Sequence, residues 1–361
     1  MHSTPTVIAE AGSNHNGDVT RAIELVDVAV RARADAVKFQ FINPQGLYLP
    51  AYSTGRGLVT NPVFEQRRRE VLSESEWERV FRHARDQGIS CSASVFDVQG
   101  LSLLERLQPE FVKVASTDLN NYPFLARVAR TGLPTILSTG MSELSEVDRA
   151  VGVFAREGAL DRLTLLHCVS VYPCPVEASR LWMIRVLREA FGLPVGYSDH
   201  TLGSAAACAA VALGATVLEK HYTIDKALPG FDHLHALEPA ELADFVTYSR
   251  EVGQSILRQA ESKVSQAEQA TRLRARRSLY ASRDLEPGAV VTEADVLIVR
   301  PSGPLVPADL PALLGGTVGP QGIRQFEAFS FGRVVVPSGE NSWERADDHW
   351  RKEMHAKGMT P

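Results

Sequence analysis

Six ionisable residues stand at the ends of short apolar runs, where burial is costly unless each finds a partner. They are Glu10, Lys38, Lys113, His200, Glu219 and His221. The stretch TVLEKHYTID at 216–225 is an example, because a buried-type strand runs directly into three ionisable side chains. Side chains alternate along a strand, so Glu219 and His221 share one face. We expect that pair to face a ligand, and Lys220 to face the helices and find a carboxylate there.

The two lysines suggest an anionic ligand. Lys38 and Lys113 each lie near several hydroxyl residues, and no glycine-rich phosphate loop is present. Ammonium groups beside hydroxyls suit a small ligand that carries phosphate or carboxylate. The alternative is that each lysine extends to solvent from the rim of the fold.

The histidines and glutamates suggest a metal ion and proton transfer. His200 and His221 end successive strands, so their imidazoles can share one metal ion, with Glu10 or Asp232 as an oxygen ligand or supporting partner. Glu10 and Glu219 are candidates for orienting a hydroxyl or water, or for moving a proton. The alternatives are core histidines bonded to backbone carbonyls, and a structural carboxylate–lysine pair in the same place.

Eight strand candidates alternate with helical stretches in the first two thirds of the chain. They cover residues 6–12, 36–42, 89–96, 111–116, 134–140, 164–172, 194–200 and 216–222. This alternation predicts an α/β fold, a (β/α)8 barrel. A doubly wound open sheet is the rival interpretation, although no GxGxxG follows the first strand.

Polar residues fall at the end of every one of these strands. They are Glu10; Lys38 and Gln40; Ser92 and Ser94; Lys113 and Ser116; Ser138 and Thr139; His167, Ser170 and Tyr172; Ser198, Asp199 and His200; and Glu219 and His221. The carboxyl ends of the strands form the active-site face of a parallel barrel. The pattern therefore predicts one convergent polar pocket.

Composition limits the classes of partner. The 361 residues carry a net charge of -5, which argues against nucleic acid because phosphate-binding surfaces are usually basic. No apolar run approaches the roughly 20 residues that span a bilayer, and the N-terminus lacks the features of a signal peptide. We expect a cytoplasmic protein without membrane contact. Cys91, Cys168, Cys174 and Cys208 form no CxxC pair, and we expect reduced packing residues.

Changes in composition and in the predicted elements along the chain indicate four segments. Residues 1–240 form the barrel, 241–277 a helical linker, 278–336 a small β-rich domain punctuated by proline and glycine, and 337–361 a polar tail.

Several stretches resemble the sialic acid synthase family, which condenses phosphoenolpyruvate with an aldose to give a nonulosonic acid. They are EAGSNHNGD (10–18), DAVKFQ (35–40), KVAS (113–116), LSTGMS (137–142), LLHCVSVYP (165–173), YSDHT (197–201), EKHYT (219–223) and GFDH (230–233). The stretch ARRSLYASRDLEPGAVVTEADVLIVRP resembles the antifreeze-like (SAF) domain that these synthases carry. The resemblance covers nearly the whole chain except the tail.

The resemblance implies a role for each matching residue. Positions that hold phosphoenolpyruvate correspond to Lys38, Ser94, Lys113, Ser116 and Ser138. Ligands of a divalent metal, Mn²⁺ or Mg²⁺, correspond to His200 and His221, and Glu10 corresponds to a carboxylate that orders water or sugar nearby. Positions on the acceptor side correspond to Ser170, Tyr172, Ser198, Glu219 and Asp232. Arg300 corresponds to an arginine that enters the partner's active site, which implies a domain-swapped homodimer.

The implied mechanism is attack by carbon 3 of phosphoenolpyruvate on the aldehyde, followed by loss of phosphate through C–O cleavage. Three stretches depart from the family pattern: Gly230-Phe231-Asp232 stands for GPD, residues 93–97 for STPFD, and residues 300–305 for RPGxGI. The altered acceptor side suggests an acceptor other than N-acetylmannosamine, such as a diacetamido sugar or an unusual aldose. A Schiff-base aldolase or lyase using Lys38, Lys113 or Lys220 is an alternative, as is a non-catalytic sugar-binding protein.

Overall fold

A computed structural model describes residues 4–55, 57–257 and 264–336. The chain divides into two compact units, Met1–Arg258 and Gln259–Pro361. The tail predicted at 337–361 lies outside the described residues.

The first unit contains eight parallel strands that close into a barrel. They are β1 Thr6–Gly12, β2 Ala36–Phe41, β3 Ser90–Val95, β4 Val112–Val114, β5 Thr135–Ser138, β6 Leu163–Cys168, β7 Val195–Asp199 and β8 Val217–His221. Each strand pairs with its neighbour in chain order, and β1 pairs with β8 to complete the ring. The predicted (β/α)8 barrel is confirmed, and the open-sheet interpretation is wrong.

The barrel interior changes from apolar to polar along the strands. Ile8, Ala36, Ile136 and Leu166 pack with Phe111 in an apolar cluster. The residues two positions further along β1 and β2 on the same face are Glu10 and Lys38, because the side-chain period of a strand is two. The apolar layer therefore closes the amino end of the barrel, and the polar residues gather at the carboxyl end.

Helices surround the barrel and cover the outward faces of its strands. They are α1 Val19–Arg31, α2 Pro44–Leu47, α3 Pro62–Arg69, α4 Glu74–Asp86, α5 Val98–Arg106, α6 Tyr122–Arg130, α7 Leu144–Arg156, α8 Met183–Phe191, α9 Ala205–Ala212 and α10 Pro239–Ser255. Helix α4 illustrates why they form: Ser73 and Glu76 make a capping box, and Trp77, Val80 and Phe81 form a buried stripe.

Two features of the first unit differ from the predicted organisation. Helix α10 contacts α9 and α1 and buries Leu242, Phe245 and Val246. It is therefore the last helix of the barrel layer, and the unit extends past the predicted boundary at 240. An antiparallel hairpin of Ala51–Thr54 and Gly57–Thr60 follows α2. This hairpin and α3 lengthen the connection between β2 and α4, and neither was predicted.

The second unit is small and rich in short strands. Its elements are α11 Gln266–Ala275, β9 Ser278–Ala281, β10 Val296–Val299, α12 Leu310–Leu313, β11 Thr317–Val318 and β12 Val334–Val335. Strands β9 and β10 pair antiparallel, as do β11 and β12. Leu279, Leu285, Val291, Ile323 and Phe329 belong to a separate apolar core.

The four cysteines lie in the described chain as free thiols, and Cys91, Cys168 and Cys174 are buried. Among the described helices, none has the length and apolar character that a membrane crossing requires.

We predict that Gly196→Ala destabilises the barrel. A Cβ at Gly196 would collide with the carbonyl oxygen of Val217 and with the Leu166 side chain, so β7 could not keep its spacing from β8. Overpacking of this kind should lower the free energy of unfolding by about 2 kcal/mol or more. Gly152→Ala in α7 is the matched control, because its Cβ meets only Arg156 at 3.5 Å and alanine favours helix. Thermal unfolding of both variants tests this, and equal melting temperatures would contradict it.

Candidate active site

The two lysines lie inside the barrel, each bonded to a serine. Lys38 and Lys113 are only 1% and 2% exposed, so extension to solvent from the rim is ruled out. The Nζ of Lys38 lies 2.5 Å from Glu10 Oε2 and donates to Ser94 Oγ at 2.7 Å. The Nζ of Lys113 donates to Ser138 Oγ at 2.7 Å. The predicted anion site therefore presents two ammonium groups and two hydroxyls in one buried region.

Glu219 lies between the two lysines. Its carboxylate oxygens are 3.7 Å from Lys38 Nζ and 3.8 Å from Lys113 Nζ, and Oε1 accepts a hydrogen bond from Ser198 Oγ at 3.1 Å. Burial raises the pKa of Glu219, but Lys113 and Lys38 outweigh burial and hold the pKa at about 2. Glu219 is therefore a fixed negative charge. Its buried Oε2 has no hydrogen-bond partner in the described chain.

Glu10 is the second carboxylate of this cluster, and its protonation behaves differently. Burial raises its pKa to about 7, with Lys38 opposing this rise and Glu219 adding to it. Gln40 Nε2 donates to Glu10 Oε1 at 3.0 Å. Near neutral pH, Glu10 therefore exchanges a proton readily while Glu219 remains ionised.

His200 and His221 face each other on neighbouring strands, with ring centroids 5.8 Å apart. Nδ1 of His200 lies 2.8 Å from the carbonyl oxygen of Val169 and donates to it, so in the neutral ring the lone pair is on Nε2, which lies 3.5 Å from Ser198 Oγ. Nδ1 of His221 is buried without a hydrogen-bond partner, and Asp232 Oδ2 lies 4.0 Å from it.

This donor set fits a divalent ion that takes part of its coordination from the protein. Across residues 4–55, 57–257 and 264–336, no three or more His, Cys, Asp and Glu side chains form a complete metal site. Two imidazoles with available nitrogens and one nearby carboxylate instead suit an ion whose other ligands are water or substrate. The orphaned Nδ1 of His221 is the observation that favours such an ion.

A second group of polar residues lies beside Lys113, at the ends of β4, β5 and β6. Ser116 Oγ accepts a hydrogen bond from the backbone N–H of Gly140 at 3.0 Å. A Cβ at Gly140 would lie 2.5 Å from Ser170 Oγ and 2.8 Å from Ser116 Oγ, so only glycine allows these hydroxyls so close. The Tyr172 ring lies over His200, with centroids 4.1 Å apart. The predicted residues of this side therefore adjoin the lysine and histidine groups.

Lys220 points away from this cluster, as alternation along β8 predicts. It is buried, and its Nζ lies 2.9 Å from Asp199 Oδ2. Its expected carboxylate partner is therefore found, although it comes from β7 and not from a helix. Asp199 was expected to join the polar pocket, and that expectation is wrong because its side chain leaves the opposite face of β7 from Ser198 and His200.

Three other strand-end residues also lie outside the cluster, contrary to prediction. His167 bonds the carbonyl oxygen of Ser179 at 2.7 Å. Ser92 and Thr139 donate to backbone carbonyl oxygens of neighbouring segments. These side chains satisfy structural backbone groups. His167 and Thr139 alternate with the inward-facing Leu166 and Ser138, whereas Ser92 shares the face of Ser94 but lies two residues nearer the amino end of β3.

Arg300 follows β10 in the second unit, and it is exposed. Within the described residues its guanidinium has no hydrogen bond or ion pair. Its predicted role concerns a partner subunit and stays a prediction.

The structure places Gln40, one of the strand-end residues selected from the sequence, on the inward face of β2 with Lys38, and its Nε2 reaches Glu10. It also adds one residue that the sequence did not indicate. Arg67 donates to Ser13 Oγ at 2.6 Å from α3. Arg67 lies in the run RRR, which ordinarily indicates a solvated helix face. The sequence around it therefore does not indicate a buried residue of the site.

Comparison with known proteins gives consistent matches. The profile of the NeuB family matches residues 25–261. The chain is 37% identical over 317 residues to an N,N'-diacetyllegionaminic acid synthase of Legionella pneumophila, covering 86% of this chain and 89% of the relative. It is 32% identical over 321 residues to the human N-acetylneuraminate-9-phosphate synthase, covering 86% and 88%. The crystal structure of a sialic acid synthetase from Leptospira borgpetersenii, with citrate, matches with a TM-score of 0.67 and 33% identity, covering 74% and 90%.

We predict that Lys220→Met destabilises the barrel severely. The change leaves the buried Asp199 carboxylate without its cation, which should lower the free energy of unfolding by about 3–5 kcal/mol. The double variant Lys220→Met/Asp199→Asn removes the unpaired charge and should recover at least half of the loss. Lys226→Met is the control, because Lys226 pairs with Glu241 at a half-exposed position and should cost less than about 1 kcal/mol. Denaturant unfolding measures all three, and equal effects at Lys220 and Lys226 would refute the prediction.

Proposed function

Because the chain belongs to the NeuB family of sialic acid synthases, we propose that it joins phosphoenolpyruvate to the aldehyde of an open-chain aldose and releases phosphate. The product is a nonulosonic 2-keto acid, and the enzyme is a transferase. The convergence of two buried lysines, two carboxylates and two facing histidines at one end of the barrel is the observation that carries this proposal.

Phosphoenolpyruvate binds at the lysine side of the site in this proposal. Its phosphate and carboxylate accept hydrogen bonds from the ammonium groups of Lys38 and Lys113 and from the hydroxyls of Ser94 and Ser138. These donors already point into one region. Such preorganised donors stabilise anionic charge without further reorganisation during the reaction. Ser116 extends this donor set next to Gly140.

The aldose binds on the histidine side. A divalent ion such as Mn²⁺ or Mg²⁺, held by His200 and His221, would polarise the aldehyde carbonyl as a Lewis acid. Tyr172 and Asp232 adjoin these histidines and line the acceptor site. Ser170 and Ser198 complete this side of the site. Holding the two substrates in contact supplies much of the rate acceleration.

The atoms balance in one condensation with water. Carbon 3 of phosphoenolpyruvate forms a bond to the aldehyde carbon, whose oxygen takes a proton and becomes a hydroxyl. Water adds to carbon 2, and the C–O bond to phosphate then breaks to leave the keto group. Glu10 exchanges the proton at its carboxyl oxygens, because its pKa of about 7 makes both forms available. Glu219 stays ionised and balances the lysines and the positive charge that develops at carbon 2.

The acceptor in this proposal is a sugar other than N-acetylmannosamine. The relatives that share the fold and the reaction carry names for different products, so the family does not fix the sugar. Phe231 replaces the usual proline beside Asp232. A diacetamido hexose is our first candidate.

The second unit is, in this proposal, an antifreeze-like (SAF) domain that delivers Arg300 to the active site of a partner in a domain-swapped homodimer. The exposure of Arg300, without a partner in the described chain, supports that role. We further propose that the enzyme works in the cytoplasm, where phosphoenolpyruvate is made.

Phosphate release from phosphoenolpyruvate tests the proposed function directly. We expect the purified protein to release phosphate with at least one of N-acetylmannosamine, N-acetylmannosamine 6-phosphate and a 2,4-diacetamido-2,4,6-trideoxyhexose. Activity should fall at least about tenfold with chelator and return with Mn²⁺, because the two histidines would lose their ion. Chelator-resistant turnover with trapping of substrate by borohydride would instead support the Schiff-base alternative.

Lys113→Met should lower kcat/KM for phosphoenolpyruvate by at least about 100-fold, because it removes a buried ammonium group from the anion site. Methionine keeps most of the side-chain volume, and Lys226→Met again serves as the control, with activity expected within twofold. A Lys113→Met enzyme with normal kcat/KM would exclude Lys113 from the site.

A further inference from the structure

Asp232 is an acceptor-side residue whose carboxylate is weakly restrained by its own contacts. Its Oδ2 lies 4.0 Å from His221 Nδ1, too far for a hydrogen bond, and its carboxylate accepts none within the described chain. A Cβ at Gly12 would lie 3.3 Å from Asp232 Oδ2, so the carboxylate packs against the end of β1. The position of Asp232 must therefore depend on the residues that flank it.

One flank of Asp232 is held by hydrogen bonds. His233 is buried, and its Nδ1 lies 2.6 Å from Thr223 Oγ1. Asn16 Nδ2 donates to the carbonyl oxygen of Pro229 at 2.7 Å and lies 3.2 Å from His233 Nε2. These bonds fix the segment after Asp232 and the start of the loop before it.

The other flank is Phe231, and Arg67 is what holds it. Phe231 is 43% exposed, so burial alone restrains it weakly. The guanidinium carbon of Arg67 lies 4.0 Å from the centroid of its ring, which is a cation–π contact. Phe231 therefore depends on a residue of α3, an element remote from it in sequence.

Arg67 is itself rigidly placed. Its side chain is only 8% exposed, and its Nη1 donates to Ser13 Oγ at 2.6 Å and to Glu70 Oε2 at 3.0 Å. Its buried Nε has no hydrogen-bond partner in the described chain. Burial and these two hydrogen bonds fix the guanidinium at the place where it meets the Phe231 ring.

We propose that Arg67 is a positioning residue for acceptor selection: by stacking on Phe231 it fixes Asp232 beside His221. This inference rests on the proposed function, and it names a determinant that the shared reaction does not require. Within the described chain, no hydrogen bond, ion pair or ring contact joins Arg67 or Phe231 to Lys38 or Lys113. Changes in this pair should therefore alter the use of the acceptor and leave phosphoenolpyruvate binding intact.

Amide hydrogen exchange of the free enzyme tests the positioning without any substrate. The amides of His235 and Ala236 donate to the carbonyl oxygens of Asp232 and His233, so Arg67→Met should speed their exchange about tenfold, while exchange in the barrel strands stays unchanged. Arg67→Lys keeps a cation near the ring and Glu70, and it should restore slow exchange to within about threefold. Arg68→Met is the matched control, because Arg68 is exposed on the same helix and pairs with Glu65.

Steady-state kinetics then test acceptor selection, using the sugar from the panel that the wild type converts fastest. Arg67→Met and Phe231→Leu should each raise KM for that sugar about tenfold, with KM for phosphoenolpyruvate within twofold. Since both act through one contact, the double variant should be no worse than Arg67→Met alone. Phe231→Leu changes only a half-exposed side chain, so it remains informative if Arg67→Met folds poorly.

The outcomes separate this inference from the proposed function. Unchanged exchange at His235 and Ala236 of Arg67→Met, or equal losses for both substrates, would overturn the positioning role while the synthase activity stands. A wild-type enzyme that releases no phosphate with any sugar would overturn the proposed function, and hydrogen exchange would still decide whether Arg67 fixes the loop.

Discussion

The structure depends on the burial of opposite charges inside the barrel. Lys38 and Lys113 lose nearly all contact with water, and Glu10 and Glu219 are the only carboxylates within 4 Å of their ammonium groups in the described chain. Isolated charges could not be buried in this way. The charges of the four groups offset one another. The two carboxyl groups differ in pKa: Glu10 can take a proton near neutral pH, and Glu219 cannot. Glu10 is therefore the carboxyl group of this cluster that titrates near neutral pH.

The closed barrel determines where this cluster can form. An apolar layer that includes Ile8, Ile136 and Leu166 closes the amino end, so polar inward residues are tolerated only toward the carboxyl end. Gly196 lets β7 approach β8 closely, and these strands carry His200 and His221. The outward face of the same strands holds the Lys220–Asp199 pair. One pair of strands thus carries a facing pair of imidazoles inside and a buried ion pair outside.

The sequence was sufficient to predict those features that follow strand periodicity. All eight strands were located, and alternation correctly separated Glu219 and His221 from Lys220. The same rule, applied along every strand, would also have excluded Asp199, His167 and Thr139. The sequence of helix α10 indicates a helical linker and not a packed helix, because polar residues separate its buried residues, such as Leu242 and Phe245. The contact of Arg67 with Phe231 could not be predicted, because the two residues are far apart in sequence. Neither residue lies in a sequence pattern that indicates the contact.

In the proposed function, the division between strands and loops would let one reaction serve different sugars. Residues proposed for phosphoenolpyruvate mostly sit on or directly after barrel strands, where backbone pairing fixes them and leaves little freedom for change. Asp232, by contrast, lies in a loop that is anchored by Asn16 on one side and by Arg67 on the other. If Arg67 positions Asp232 as we propose, replacing this anchor shifts Asp232 without disturbing Lys38 or Lys113. Variation in acceptor should therefore collect in the contacts that hold this loop, while the charged cluster inside the barrel stays the same.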